Sequence, residues 1–576
     1  MALPGVTVTV RDGGLGIVPP GVGSQFVKIG PSPIGVVNTV YSAADNSSLQ
    51  KQLGNGGPVV ESAALALAVG GQGSVKPNGL LLVPVNPSTY GSASAVTHVG
   101  PGTGTVTVAI KPANAFLIKC IAGGSATTST WQTSLDGGVT YGATWTAAAT
   151  IQVPGVSFTT LAFGAGTSVT GDVVTVPASG TAPSLQSGTG TLIPTISSAC
   201  PVDAYTVVLT ITLAGGLGVG MFTYSLDGGN TVSQQILIPS SGAYTIADGN
   251  DPNKSGTCST GIVLTFSGTY TLNDTYSFTT TTASYTTTDL TNAFNVLQAD
   301  TRFTSGIGIH VVGPPATSAA GATLVASLDT LMGTAAGAYK FARAMIENPS
   351  DTDSSILSAY ASTTSLRVGV GAGFHNVTSP VNGRIQSRPA TWSAMARAGC
   401  VPASEDLGRV ASGSLPGVTK LARDESATPG LDAGRFTTLT SIAGRNGFWV
   451  TNGRLMSQAG SDITYWQYGR VMDLVSYFGR LGLLVFLNDS VRVNADGTIS
   501  EKDARRIERY TDSYIRNGLV SVGAAISDLF VQVARTGSVL ATQTIVPTIR
   551  VLPVGYAKFI NADLGFVNQA LTVKAA

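Results

Sequence analysis

Side chains able to do chemistry are sparse in this sequence and do not converge. The three histidines, His98, His310 and His375, lie far apart in the chain. His310 sits in the apolar run GIGIHVVG (306–313), where a packed core residue is expected rather than a base. Cys120, Cys200, Cys258 and Cys400 show no CxxC spacing and have no histidine nearby, so neither a zinc site nor a disulfide framework is supported. GVGAG (369–373) follows an apolar strand, but no G-x-G-x-x-G fits and no helix opens after it. GNDPNKSG (249–256) approaches a phosphate-binding loop, yet Asn253 stands where its second glycine would be. Asp248, Asn250 and Asp251 could hold calcium; a loop rich in Asp, Asn and Gly reads first as a turn. There is no G-x-S-x-G. No catalytic residue, cofactor or metal is therefore expected, and the chain is not read as an enzyme.

One short motif occurs twice. SLDGG stands at Ser134–Gly138 and again at Ser225–Gly229, 91 residues on. The aspartate can accept from backbone N–H groups two residues ahead, and the glycines accept positive φ, so the motif closes a hairpin. The longer string resembles the Asp-box of sialidase propellers: Ser134, Asp136, Gly138, Thr140 and Tyr141 match, while the second copy keeps Ser225, Asp227, Gly229 and Thr231 but has Val232 for the aromatic. In that family the box is a structural turn, and a sialidase needs arginines to clamp a carboxylate. This region has none. GTGTVTV (102–108) precedes the first copy and GTGTLIP (188–194) the second. Two tandem β-sandwich modules of about 90 residues each are expected, 96–186 and 187–288.

The elements around this repeat differ in kind. Charged residues make up only 11% of the chain, and mean hydropathy is +0.27. Much of the surface is therefore uncharged and suited to burial by partners. Residues 96–288 hold seven Asp, three Lys and no Glu or Arg, a net −4 against +5 for the rest. Such a shift marks a boundary. No apolar run is long enough for a membrane helix, and the start MALPGVTVTV has no secretory pattern. Before and after the repeat, strands alternate with helices. A strand is expected at Phe26–Ile29, helices at Asp45–Leu53 and Val59–Val69, and a strand in LLLVPV. Beyond the repeat come helices at Asp289–Gln298, Ala316–Met332 and Asp353–Ser362, with strands at 306–313, 340–347 and 366–374. Apolar strands between helices predict a parallel, helix-covered sheet interrupted by the β modules. Further on, a helix is expected at Ala390–Ala398, a strand at 447–454, a long helix from Ile463, and another after Ser500, which caps it with Asp503 three residues on.

Several of these features resemble the contractile tail sheath proteins of bacteriophages and related injection machines: the N-terminal PGVTVTV strand, ARAGCVPAS after the insertion, GFWVTNGRLM followed by GSDITYWQYGRVMD, and the terminal basic helix and extended arm. The order of elements carries the resemblance, over residues 1–95 and 290–576. It implies an α+β multidomain chain: a discontinuous α/β core with terminal exchange strands and an inserted all-β tandem repeat. The expected segments are an arm (1–22), the leading portion of the core (23–95), β modules (96–186 and 187–288), the returning portion of the core (289–380), a C-terminal domain (381–545) and a second arm (546–576).

The resemblance further implies a structural subunit that stacks as six-membered rings wound around a tail tube and contracts. Its partners would be itself, the tube protein, and baseplate and terminator proteins, with no nucleic acid contact and no membrane insertion. It would reside in the virion tail, after assembly in the host cytoplasm. Val6, Val8 and Val10, with Ile549, Val551 and Val554, are the expected strand-exchange residues, since both segments are terminal, alternating and flanked by Gly or Pro. On the helix SEKDARRIERYTDSYIRNG, Lys502, Arg505, Arg509 and Arg516 share a face that would touch an acidic tube. Ala504, Ile507, Tyr510 and Tyr514 form its packing stripe, and Glu501–Arg505 and Asp512–Arg516 its internal pairs. The alternative is another virion assembly or surface protein whose modules bind glycans, with Trp131, Tyr141 and Trp145 as stacking platforms.

Overall fold

The computed structural model describes residues 26–70, 80–178, 182–248, 258–520 and 525–562. The chain opens with β1 (Phe26–Gly30), β2 (Tyr41–Ala43), α1 (Asn46–Leu53), α2 (Pro58–Gly70) and β3 (Leu80–Pro84). α1 starts where it does because Asp45 accepts from Ser48 N while Ser48 Oγ returns a bond to the Asp45 N–H. After the insertion come α3 (Thr287–Ala299), β20 (Ile307–Val311), α4 (Ser318–Gly337), β21 (Ala342–Glu347), α5 (Asp353–Ala359) and β22 (Val368–Gly371). Here β4 to β19 denote the strands of the insertion, given below. One six-stranded sheet, ordered β2-β3-β1-β20-β21-β22, joins strands from both sides of the insertion. β1, β3, β20, β21 and β22 run parallel and are buried throughout. This is why they read as unbroken apolar runs. Phe26 and Met345 face α2 and a later helix, while Val27, Ile29 and Ile309 face α3 and α4.

The insertion holds β4 (Thr97–Val99), β5 (Thr105–Ile110), β6 (Phe116–Ala122), β7 (Thr130–Ser134), β8 (Trp145–Thr146), β9 (Thr150–Gln152), β10 (Thr159–Ala162), β11 (Val173–Val176), β12 (Ser184–Ser187) and β13 (Thr195–Ala199). It continues with β14 (Thr206–Leu213), β15 (Met221–Ser225), β16 (Ile236–Leu237), β17 (Ala243–Asp248), β18 (Cys258–Ser267) and β19 (Thr275–Thr279). Its sheets are β12-β11-β6-β7-β8 over β13-β10-β9, and β4-β19-β14-β15-β16 over β5-β18-β17. The two sandwiches have the same strand order. The pairing is not tandem, however, and this corrects the expected module limits 96–186 and 187–288. The first repeat's leading strands, β4 and β5, complete the second sandwich, and the second repeat's leading strands, β12 and β13, complete the first. Val106 accordingly sits in the second core, and Leu192 with Ile196 in the first. The crossing segments are KPANA (111–115) and CPVDA (200–204). Each has proline second, which holds the preceding residue extended and carries the chain onward.

Both SLDGG copies form the same turn. Ser134 Oγ donates to Asp136 Oδ1 (2.7 Å), and Gly138 N and Thr140 N donate to Ser134 Oγ and Asp136 Oδ1 (2.9 Å each). Ser225, Asp227, Gly229 and Thr231 repeat it at 2.8 Å. Hydrogen bonding to Thr140 holds the Asp136 carboxyl down to about 2. Trp131 and Trp145 are buried in the first sandwich core, which removes them as glycan platforms; Tyr141 lies under Lys119, 5.5 Å from the ring centre.

The exchange makes a prediction. Lys111 O and Cys200 O lie 3.0 and 3.2 Å from where a Gly261 Cβ would stand, so the crossing segments run side by side. Excising 112–199 and joining Lys111 to Cys200 should leave the second sandwich intact, with β5 still protected in hydrogen exchange. Loss of protection across β14 to β19 would contradict the exchanged pairing.

Beyond β22 lie β23 (Phe374–Thr378), β24 (Ile385–Pro389), α6 (Ala390–Ala398), β25 (Val418–Leu421), β26 (Leu439–Ser441) and β27 (Phe448–Val450). The expected strand 366–374 is two strands, because Gly373 takes φ +92 and turns the chain from one sheet into another. The GVGAG run is thus a corner. The expected boundary at 380/381 also shifts: it falls inside the β23–β24 hairpin, and α6 beyond it packs on the sheet with α2.

Candidate assembly surfaces and the buried ions behind them

The C-terminal unit is α7 (Trp466–Leu484), α8 (Glu501–Val520), β28 (Ile526–Val533), α9 (Val539–Thr542) and β29 (Pro547–Pro553). Val471, Leu474, Val475 and Phe478 of α7 bury against Ile515 and Leu519 of α8 and Leu529 and Val531 of β28. Asp503 N donates to Ser500 Oγ at 3.3 Å, the cap read from sequence. The packing stripe differs from expectation: Ala504, Ile507, Thr511 and Ile515 are buried, whereas Tyr510 is 41% exposed and lies edge-on to Phe486. A straight helix drifts off the i, i+3 line over several turns, and the stripe follows the drift.

The expected basic face divides. Lys502, Arg505 and Arg509 are exposed. Arg505 pairs with Glu501 (2.6 Å) and Arg516 with Asp512 (2.9 Å), as expected. Arg516 also reaches Asp528 (2.9 Å) and Leu529 O (2.8 Å), so it ties α8 to β28 and is not a free surface cation. Arg535, absent from the sequence reading, bridges Glu501 and Glu508 from a loop after β28. Such exposed pairs contribute only a few tenths of a kcal/mol each.

The C-terminal strand needs a larger correction. β29 pairs antiparallel with β28 of its own chain, from Val533↔Pro547 to Ile526↔Pro553. Ile549 and Val551 turn towards α7 and α8. The strand is therefore not a loose arm, and Val554 lies beyond its end. Among the described residues no further strand pairs with β28 or β29; on the β28 side Leu529 O accepts from Arg516, Val533 N donates to Glu508 and Val533 O accepts from Arg535, so the β29 side is the open backbone edge, and Phe530 and Leu552 are exposed on the sheet's outer face. Val6, Val8 and Val10 lie outside the described residues.

Buried ions hold these surfaces in place. Arg343 on β21 donates from Nη2 to Asp473 Oδ1 on α7 (2.9 Å), with Nε 2.9 Å from Oδ2. Both side chains are buried, and burial raises the Asp473 pKa. Gly469 makes room: a Cβ there would stand 2.3 Å from Arg343 Nε. At the root of the insertion, Arg388 on β24 donates to Glu61 Oε2 of α2 (2.7 Å) and Asp203 Oδ1 (2.9 Å), and lies 4.5 Å from the Trp392 ring centre. Ile385 N donates to Asp227 of the second SLDGG turn (3.2 Å), a further tie.

A third network crosses the parallel sheet. Lys28 and His310 are register partners on β1 and β20. Lys28 Nζ donates to Ser62 Oγ (2.7 Å) and lies 3.0 Å from His310 Nδ1; His310 Nε2 is 3.1 Å from Glu347 Oε1, which also accepts from Trp392 Nε1 (2.7 Å). Burial pushes Lys28 down to about 7 and Glu347 up to about 8, and holds His310 well below its usual range. Glu347 lines a cleft of about 670 Å3 with Tyr90, Asp203, Tyr285, Arg388 and Trp392. His375 Nε2 meets Ser393 Oγ at 2.7 Å, but among the described residues no carboxylate bonds its Nδ1, so no triad forms. His98 stacks on Tyr276 in the second sandwich. Burial raises the thiols of Cys200 and Cys400 to about 12, which leaves them inert. Among the described residues, no group of three His, Cys, Asp or Glu is placed to hold a metal, and no helix is long and apolar enough to cross a membrane. The calcium loop and GNDPNKSG fall outside the described residues, apart from Asp248 at the end of β17.

The Lys28 network sets a pH test. Between pH 8 and 10 the folded Lys28 is neutral while the unfolded one is charged, so its contribution rises with pH, by at most about 1.4 kcal/mol per unit. The unfolding free energy of wild type minus that of Lys28→Met should therefore become more positive from pH 8 to pH 10 in denaturant titrations. A constant difference would contradict a neutral buried Lys28.

The chain belongs to the DUF2586 family, whose N-terminal domain matches residues 3–454. No curated protein matches it. Among solved structures it is similar to a sheath tail protein of Desulfitobacterium hafniense (13% identity, 96% of this chain and 100% of that chain covered, TM-score 0.41). It is also similar to one of Listeria innocua (10% identity, 92% and 95% covered, TM-score 0.40). A third is the contracted helical sheath of the anti-feeding prophage (15% identity, 50% and 77% covered, TM-score 0.34).

Proposed function

We propose that this chain is the structural subunit of a contractile sheath. It polymerises as helically stacked six-membered rings around a tail tube, and contraction drives the tube through a target envelope. The observation that carries the reading is the C-terminal unit. A two-stranded sheet whose β29 edge has no partner strand among the described residues stands beside a helix with exposed Lys502, Arg505 and Arg509, and a buried ion pair fixes both to an α/β core. Open edges take up strands from neighbouring copies. The order of elements that resembles sheath proteins supports the same reading. The N-terminal Val6–Val10 segment supplies one such strand. In this reading Ile549 and Val551 hold the acceptor sheet in place, and exchange at the C-terminus runs through the β29 backbone edge. The tube is the partner of the α8 face, and baseplate and terminator proteins cap the polymer. The subunit assembles in the host cytoplasm and ends in the virion tail, and it works without nucleotide or metal.

The test is a deletion. Removing residues 1–15 should leave soluble subunits that sediment as non-polymeric species under conditions where the full chain polymerises. Long polymers from the truncated chain would exclude strand donation by the N-terminus.

A further inference from the structure

The parallel sheet has a point where its strand order reverses. From β1 the chain crosses to β3 on one side, and after the insertion it returns to β20, β21 and β22 on the other. In open α/β sheets, ligands bind outside the carboxyl ends of the strands at such a point. The cleft of about 670 Å3 lies there: Gly313, Pro314 and Pro315 follow β20, Glu347 ends β21, and all four line it. A further wall is made by the two linkers of the insertion, where Thr89 and Ser284 exchange backbone hydrogen bonds (3.1 and 2.9 Å).

The polarity of this cleft is the reverse of a phosphate site. A phosphate at such a point is held by N–H groups of the loop and of the helix that follows. Here Gly313 N donates to Glu347 Oε2 (3.0 Å), and the next two residues are prolines, which have no N–H. At the start of α4, Ser318 N donates to Asp351 Oδ2 (3.1 Å) and Ala320 N to Thr317 Oγ1 (3.2 Å). Pro58 opens α2 beside the cleft, again without an N–H. These donors are spent, and an acceptor remains. Glu347 accepts from Trp392 Nε1 and Gly313 N and faces His310 Nε2. A carboxylate has about four acceptor positions, so Oε2 keeps one. The charge around the floor is three carboxylates, Glu61, Asp203 and Glu347, against two cations, Arg388 and Lys28. Arg388 is already shared between Glu61 and Asp203. Tyr90, Tyr285, Phe374 and Trp392 supply aromatic walls, a surface that suits an organic cation.

We propose that this cleft is a binding site for a small organic ammonium ion with an aromatic body, its N–H group on Glu347 and its ring among the aromatic side chains. Because the walls include both linkers of the insertion, an occupied cleft braces the insertion against the parallel sheet. The site is built on the α/β core and does not depend on the sheath assignment.

Tryptamine, tryptophol and indole-3-acetate carry one indole with a positive, a neutral and a negative end, and they test the proposal on the full-length chain by calorimetry. Tryptamine should bind saturably and at least about tenfold more tightly than either analogue, the effect of one hydrogen bond between charged groups. Bound tryptamine should protect residues 281–287 in hydrogen exchange. Ala320→Trp sets an indole at the mouth from an exposed position of α4 and should abolish binding while melting as wild type does. Glu347→Gln keeps an acceptor for Trp392 and should reduce tryptamine to the affinity of tryptophol. Absence of saturable tryptamine binding, equal binding of the three ligands, binding without protection of 281–287, or binding that Ala320→Trp leaves unchanged would overturn the proposal. These results decide it whether or not Glu347→Gln folds.

Discussion

Arg388→Met should destabilise the chain by roughly 3–5 kcal/mol, the range for removing one partner of a buried ion pair. The figure belongs at the upper end because one guanidinium answers two carboxylates. With it gone, Glu61 and Asp203 lose the cation between them while both stay buried, although Glu61 keeps the Asn382 amide as a donor (3.2 Å). Asp203 lies in the crossing segment that roots both sandwiches, while Glu61 is on the helix covering the parallel sheet. The loss should therefore appear first as loosening of the insertion, with faster proteolysis in 200–205 before global unfolding. The triple variant Glu61→Gln/Asp203→Asn/Arg388→Met should recover most of the stability, since neutral groups need no counter-ion. Denaturant titration of both variants checks this; a single variant within 1 kcal/mol of wild type would show that the node is dispensable.

Asp473→Ala should cost a similar amount, roughly 3–5 kcal/mol, for the same reason. Arg343 would lie buried between sheet and helix with, among the described residues, only Leu366 O left to accept from it. The consequence differs in place. α7 carries the C-terminal unit, so its loosening should abolish polymerisation under conditions where the α/β core still melts cooperatively. Asp473→Asn keeps an acceptor and should be milder. Equal polymerisation by wild type and Asp473→Ala would separate the ion pair from assembly.

Local features were legible in the sequence. α6 occupies the expected Ala390–Ala398, α1 (Asn46–Leu53) falls within the expected Asp45–Leu53, and Ser500 caps α8 as expected, because capping and apolar periodicity act within a few residues. The parallel strands were legible as apolar runs, and the SLDGG turn as a hydrogen-bond pattern closed within seven residues. What was missed lies far apart in sequence. Arg388 meets Asp203 across 185 residues and Glu61 across 327, and Arg343 meets Asp473 across 130. The strand exchange was hidden for a different reason: the two sandwiches share one strand order and each takes its leading strands from the other repeat, so the sequence repeat and the spatial module diverge. Among the surface residues, spacing correctly placed Lys502, Arg505 and Arg509 on one exposed face. It could not show that Asp528 claims Arg516, or that β28 claims β29. Asp473, the one acidic residue of α7, was an available sign of a buried ion pair, but nothing near it in sequence pointed to Arg343.

Electron microscopy of the purified full-length chain tests the central claim most directly. The account predicts hollow tubes of stacked six-membered rings, with density for the 97–279 insertion distinct from the wall formed by the core and C-terminal unit. Particles that remain monomeric or form closed, non-helical oligomers across protein concentration and salt would contradict it.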